Sequence, residues 1–143
     1  MALRSVLPEE VIGKPMPEGL NWDDVRGLAK QVLEEGNPLI LTDQVRTILR
    51  RTAREVAIDA EQAEQALQTV EAATDLLRKM ARRIRDGSYR LSRALTQMYS
   101  LRDAGDLEGA RQQLRDVLAV EVVPHYRDIA EDALEALDDP EED

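Results

Sequence analysis

The chain has 143 residues and a net charge of −10, and it contains no cysteine, no phenylalanine and a single histidine. The absence of cysteine excludes a disulfide scaffold, a thiolate nucleophile and a cysteine zinc site. The acidic balance disfavours a general nucleic-acid or anionic-membrane binder, and no apolar run approaches the ~20 residues of a membrane span.

We therefore expect a cytoplasmic protein with one domain over residues 21–138. Residues 1–20 contain three prolines and two glycines, which interrupt the backbone too often for a regular element. An irregular N-terminal strap is predicted there. Residues 139–143 are predicted to form a solvated acidic tail.

Three short helices are predicted next, over residues 22–35, 43–58 and 60–67. Their boundaries are indicated by residues typical of helix ends, namely Asn21, Gly36, Thr42 or Asp43, and Asp59. Trp22 begins the first of these helices, and we assign it to packing in the core.

The longest regular pattern covers residues 70–104, where apolar residues recur in steps of three and four. A tight turn at Gly105 leads to a second pattern over residues 106–138, so the two segments are predicted to form an antiparallel αα-hairpin. Pairing across Gly105 places Pro124 opposite Gly87 and predicts a bend at that level. The predicted fold class is therefore all-α, a helical bundle built on a long hairpin with three shorter N-terminal helices.

The charge of this hairpin is unevenly distributed. Residues 70–93 carry a net charge of +4 and residues 94–143 a net charge of −10. The same pairing places the basic run between residues 78 and 93 beside residues 117–132, so the acidic segment is predicted to neutralise it.

Signals for an enzyme are weak throughout. His125 is the one histidine available for a catalytic relay, and a metal bound to it would lack a second histidine or a cysteine. Neither a glycine-rich phosphate loop nor a nucleophile elbow occurs. We predict no catalytic residue, no cofactor and no metal, and interpret His125 as packing beside Arg85 or Asp86.

A helical surface for another protein is the remaining prediction. The candidate partner-binding residues form a basic and an acidic group: Arg46, Arg50, Arg51 and Arg54, and Asp128, Glu131, Asp132 and Glu135. The alternative is a nucleic-acid-binding regulator that uses Arg46, Arg50 and Arg54 or the arginines between 78 and 93. A helix-turn-helix over residues 43–68 is disfavoured, because its second helix carries Glu61 and Glu64 and no basic residue. Self-association along an uncovered part of the long helix also stays open.

Three stretches, VRTILRRTAREVAI, GSYRLSRAL and RDAGDLEGARQQLRDVLAVEVVPHYRDIAE, together resemble the DUSAM domain, a family with many paralogues in myxobacteria. The likeness covers about residues 21–138. It implies a bacterial source and an all-helical domain, and it transfers no catalytic residue or ligand. Paralogous expansion in social bacteria is typical of toxin and immunity systems, so the resemblance and the acidic charge together suggest an immunity or regulatory adaptor protein whose partner is a basic toxin.

Overall fold

The computed structural model describes residues 21–138, so the predicted strap (1–20) and tail (139–143) lie outside the described residues. The described chain contains six α-helices and no β-strand, which confirms the all-α class. The helices are α1 (Asp23–Ala29), α2 (Asp43–Glu55), α3 (Ala60–Ala66), α4 (Val70–Asp103), α5 (Leu107–Val120) and α6 (Pro124–Leu137).

The described residues divide into two compact units, 21–85 and 86–138, which we call the N-terminal and the C-terminal unit. The boundary falls inside α4, between Arg85 and Asp86. The organisation of residues 21–138 as one domain stays a prediction.

The first helix of the N-terminal unit begins directly after the buried Trp22. Helix α1 continues into one π-helical turn, Lys30–Glu34, so the two segments together correspond to the helix predicted over 22–35. Gly36 ends this segment with a φ of 78°, a left-handed conformation that favours glycine. Trp22 is 1% exposed and donates its indole N–H to the Glu55 carboxylate at 3.1 Å. Its predicted packing role is confirmed.

Helix α2 ends earlier than predicted, at Glu55, because Ala57 has a left-handed φ of 66°. The N–H of Ile58 donates to the carbonyl of Ala53 at 2.8 Å, and Arg83 of α4 donates to the carbonyls of Val56 and Ala57 at 2.8 and 3.0 Å. These bonds satisfy carbonyl groups that the end of a helix leaves without partners.

Side-chain caps mark the other helix starts of this unit. Thr42 accepts a hydrogen bond from the N–H of Val45, and Asp59 accepts from the N–H groups at the start of α3. At the start of α4, the Thr69 hydroxyl accepts from the N–H of Ala72 at 3.1 Å. These caps agree with the predicted boundaries.

Helix α4 confirms the predicted long helix, because it covers Val70–Asp103 where residues 70–104 were predicted. Ala73, Leu77, Met80 and Leu91 are each 0% exposed, so the seam of steps three and four is the buried face of the helix. Val70, the first residue of α4, was predicted in this seam and is 46% exposed.

In the C-terminal unit, α4 and α5 form the predicted antiparallel hairpin across Gly105, whose φ is 87°. Asp106 caps α5 by accepting from the N–H of Gly109 at 2.9 Å. The pairing of this hairpin is confirmed at one level, where Arg90 and Glu121 form an ion pair of 2.6 Å.

The prediction of one helix over 106–138 is wrong, because α5 ends at Val120 and α6 begins at Pro124. Proline has no N–H to donate and is suited to the first turn of a helix, so it begins α6 instead of continuing α5. Val122, predicted in the seam, is 44% exposed, and Val123 is buried instead.

Helix α6 turns back along α5. Arg127 donates to the carbonyls of Leu118 and Glu121 at 2.7 and 2.8 Å, and Arg111 of α5 pairs with Asp138 at 2.6 Å. Residues 86–103, α5 and α6 therefore form three successive antiparallel helices.

Candidate protein-binding surfaces

Helix α6 carries the four predicted acidic candidates on one exposed face. Asp128, Glu131, Asp132 and Glu135 follow the spacing i, i+3, i+4 and i+7 and are all exposed. The opposite face buries Tyr126, Ile129 and Ala130. We call these four carboxylates the α6 acidic face.

Within residues 21–138, no ion pair involves a residue of the α6 acidic face. Carboxylates elsewhere do pair with arginine: Glu121 with Arg90 at 2.6 Å, and Glu108 with Arg115 at 2.7 Å. The prediction that the acidic segment neutralises the basic run is therefore confirmed at Glu121 and wrong for Asp128, Glu131 and Asp132. The physical reason is that α6 reverses after residue 123.

Glu121 is the one acidic residue of the described chain that is fully buried, with 3% exposure. One carboxylate oxygen accepts from Arg90, and the other accepts from the N–H groups of Val122 and Val123 at 3.1 and 3.0 Å. It thereby holds the link between α5 and α6 against α4. The predicted pairing placed Glu121 beside the basic run with other acids, and nothing in the sequence indicated that Glu121 is the buried one.

The four candidate arginines of α2 are largely engaged within the N-terminal unit. Arg46 donates to the carbonyl of Leu67 at 3.1 Å, and Arg50 donates twice to Glu64 of α3, at 2.6 and 3.3 Å.

The other two arginines of α2 have different surroundings. One nitrogen of Arg51 lies 3.8 Å from the Asp24 carboxylate. Two of its nitrogens are buried without a hydrogen-bond acceptor in the described chain. Arg54 is exposed. The four do not form one open basic patch.

The basic run of α4 is similarly distributed among internal partners. Arg78 pairs with Asp75 at 2.6 Å, Arg83 caps α2, and Arg90 pairs with Glu121. The guanidinium carbon of Arg93 lies 5.7 Å from the centroid of the Tyr89 ring, within the range of a cation–π contact.

His125 lies in the first turn of α6 with its ring centroid 5.9 Å from that of Tyr126. Among residues 21–138, no three histidine, cysteine, aspartate or glutamate side chains are grouped closely enough to hold a metal ion.

Two carboxyl groups have pKa values displaced from the ordinary range. Hydrogen bonding to Arg115 lowers the pKa of Glu108, because the bond favours the charged form. Burial raises the pKa of Glu55, and the hydrogen bond from Trp22 partly opposes that shift. Both groups belong to contacts that hold helices together or stabilise a helix start.

Sequence reasoning missed an open groove of about 510 Å³ between α4 and α5 in the C-terminal unit. Tyr89 on one wall is 65% exposed and Val120 on the other is 59% exposed. Exposed large apolar side chains on neighbouring helices are an indication of an interaction surface. Tyr89 lies beside the seam of α4, so its position in the helical period could have indicated it.

No helix in the described part of the chain combines the length and apolar character needed to cross a lipid bilayer. A family model described as "Protein of unknown function (DUF2379)" matches residues 20–137. No curated protein and no solved structure matches the sequence.

Proposed function

We propose that this chain, which belongs to the family of proteins of unknown function whose model matches residues 20–137, is a non-enzymatic helical module that binds another protein. The α6 acidic face is the proposed binding surface, and the proposed partner presents a basic surface to it. A cytoplasmic location is part of this proposal.

The observation that carries the proposal is the contrast between the α6 acidic face and the other acids of its unit. Four carboxylates share one exposed helix face, and within the described residues none of them is paired with an arginine. Like charges on adjacent turns repel one another, so a basic partner would relieve that repulsion. Complementary charge also steers association and gives specificity.

The nucleic-acid alternative has less support. Nucleic-acid binding needs several arginines whose guanidinium groups are available to phosphates. Four of the candidate arginines instead donate to a carbonyl or carboxylate of this chain: Arg46, Arg50, Arg83 and Arg90. The alternative requires binding that weakens steeply with salt. A gel-shift experiment at low salt tests it, and retarded nucleic acid would favour it over protein binding.

The more specific form of the proposal is an immunity or regulatory adaptor protein of the DUSAM family. It rests on the resemblance of the RDAGDLEGARQQLRDVLAVEVVP stretch and on the acidic charge of −10. A basic toxin is the corresponding partner. A toxin-like reading frame adjacent to the gene would support the immunity form, and its absence near the gene and its paralogues would contradict it.

Affinity capture with charge-reversed variants tests the proposal. We expect the wild-type chain to retain one stoichiometric basic protein from a lysate of the source bacterium, and the variant with Asp128, Glu131, Asp132 and Glu135 changed to lysine to lose it. The matched control changes four other exposed acids to lysine: Glu34, Glu35, Glu61 and Glu71. Both variants have the same net charge.

The control separates a specific surface from general electrostatics. Retention of the partner by the control and its loss from the α6 variant support the proposal. Recovery of the same partner by the α6 variant, or equal loss from both variants, contradicts it.

A further inference from the structure

The groove between α4 and α5 is lined by residues 86–97 of α4 and residues 113–120 of α5, all within the C-terminal unit. The walls differ in the residues they present. Those of α4 are Tyr89, Arg93 and Gln97, and those of α5 are Val120, Asp116 and Gln113. The floor is formed by small and branched apolar residues, Ala94 and Val117.

The ion pair of Arg90 with Glu121 fixes which residues lie level across the groove. In an antiparallel pair, one step forward along α4 corresponds to one step back along α5. Counting from this pair places Tyr89 level with residue 122, so Val120 lies within two residues, roughly 3 Å along the helix axis, of the Tyr89 level. At this level both walls present an exposed apolar side chain.

The next two levels follow the same register. Arg93 is level with residue 118, so Asp116 lies within two residues of the Arg93 level, and a positive charge stands across the groove from a negative charge. Gln97 is level with residue 114, so Gln113 lies one residue from the Gln97 level, and an amide can both donate and accept hydrogen bonds. Each level thus pairs a side chain with a chemically complementary one on the other wall.

We propose that this groove binds the same groove of a second copy of the chain. A half-turn about the groove axis places α4 of one copy over α5 of the other and keeps every level in register. Arg93 of each copy then lies against Asp116 of the other, and Tyr89 lies against Val120. The four helices form an antiparallel four-helix arrangement, and the interface is isologous.

The charge of the groove favours a second copy over a charged partner. Its lining contains two arginines and two aspartates, whereas the whole chain has a net charge of −10. Two copies meeting at this neutral surface avoid the repulsion that other acidic surfaces would produce. A strongly basic partner would instead be attracted to the α6 acidic face, which does not line the groove.

The exposed side chains also suit a protein interface. Tyr89 and Val120 are 65% and 59% exposed, and Arg93 already lies over the Tyr89 ring. Tyrosine and arginine are enriched among the residues that contribute most to binding. Burying Tyr89 in a dimer removes its apolar surface from water.

Sedimentation velocity over a range of concentrations tests the proposal. We expect the wild-type chain to shift from the one-chain to the two-chain mass as concentration rises. Arg93→Asp and Asp116→Arg should each raise the dissociation constant about 100-fold, because a two-fold interface contains each contact twice. An equimolar mixture of the two variants should form a heterodimer, since both cross-contacts then pair opposite charges.

Arg102→Asp is the matched control, because Arg102 lies 4.9 Å over the Tyr99 ring on the same helix and does not line the groove. It should dimerise as the wild type does. Circular dichroism checks the fold of each variant. Tyr89→Ser, at an exposed position, provides a second dimer-breaking variant if a charge reversal unfolds the chain.

Three results would overturn the proposal. The wild-type chain could keep the one-chain mass up to a concentration of about 1 mM. A dimer with a dissociation constant below about 1 mM, which corresponds to a binding free energy of about −4 kcal/mol, would be detected at that concentration. Both single variants could dimerise as the wild type does, which would place the interface elsewhere. The mixture of the two variants could stay at the one-chain mass although each variant is folded.

Discussion

Gly87 lies where helix α4 approaches Tyr126 and Glu121 most closely, and Gly87→Ala should destabilise the protein. A Cβ atom at this position would lie 2.6 and 2.7 Å from two ring carbons of Tyr126 and 2.9 Å from a carboxylate oxygen of Glu121. Carbon atoms pack favourably at about 3.5–4.0 Å, so the ring would have to move by about 1 Å.

Neither neighbour can move freely. Tyr126 is 2% exposed, and the Glu121 carboxylate is held by Arg90 and by two backbone N–H groups. Adding a methyl group to a well-packed site costs about 1–3 kcal/mol. Replacing glycine by alanine inside a helix gains about 1 kcal/mol. The two terms together give a net loss of about 0–2 kcal/mol in the free energy of unfolding, and because both neighbours are held we expect a value toward the upper end of that range.

Gly27→Ala in α1 is the matched control, because nothing lies within 4 Å of the Cβ position there. It should gain about 0.5–1 kcal/mol from helix propensity alone. Urea unfolding followed by circular dichroism measures both variants. The difference between them isolates the cost of the close approach, since the propensity gain is common to both.

A double-mutant cycle identifies the contact responsible. In a Tyr126→Leu background the methyl group of Ala at position 87 meets no ring, so the substitution should cost much less than in the wild type. If Gly87→Ala proves as stabilising as Gly27→Ala, α4 and α6 are not packed as closely as described and the reasoning is refuted.

Three further outcomes are expected. Ala57→Gly should stabilise the protein by about 0.5–1 kcal/mol in urea unfolding. The left-handed φ of 66° at this position costs alanine about 1–2 kcal/mol and costs glycine less. A loss of stability in this variant would contradict the prediction. Glu121→Gln should cost about 1.5–3 kcal/mol by the same assay, since it removes the charge-assisted bond to Arg90. An unchanged midpoint would show that the bond contributes nothing. Trp22→Phe should raise the pKa of Glu55 further in an NMR titration, because the indole N–H favours the carboxylate. The pKa of Glu55 is higher in the folded state than in the unfolded state, so the folded state binds the proton more readily. Glu55 therefore favours folding increasingly as the pH falls through its pKa, and its charged form opposes folding at higher pH.

The register of the hairpin could be predicted from the sequence because Gly105 makes the turn short. Pairing across that turn places Glu121 near Arg90, as observed at 2.6 Å. The same pairing fails beyond residue 123. Proline at position 124 is compatible with a bent helix or with a new one, and the sequence does not show which will pack better.

The candidate binding residues were predictable to different degrees. The spacing of Asp128, Glu131, Asp132 and Glu135 places them on one helix face wherever that helix packs, so their exposure followed from the period alone. Arg46 and Arg50 are also four residues apart, but both donate hydrogen bonds to the next segment. Arg46 donates to the carbonyl of Leu67, and Arg50 donates to the carboxylate of Glu64. Which arginines remain exposed depends on the neighbouring helix.

By itself the sequence determined the helices before Gly105 and where they begin, since caps and buried seams depend on residues within a few positions of one another. Thr42 and Asp59 act as caps where their positions predict, and the seam of α4 is buried. Only the tertiary structure decided the reversal of α6, the burial of Glu121 and the groove beside Tyr89. Each of these joins residues on separate helices, and such contacts depend on how the helices approach one another, which no local pattern encodes.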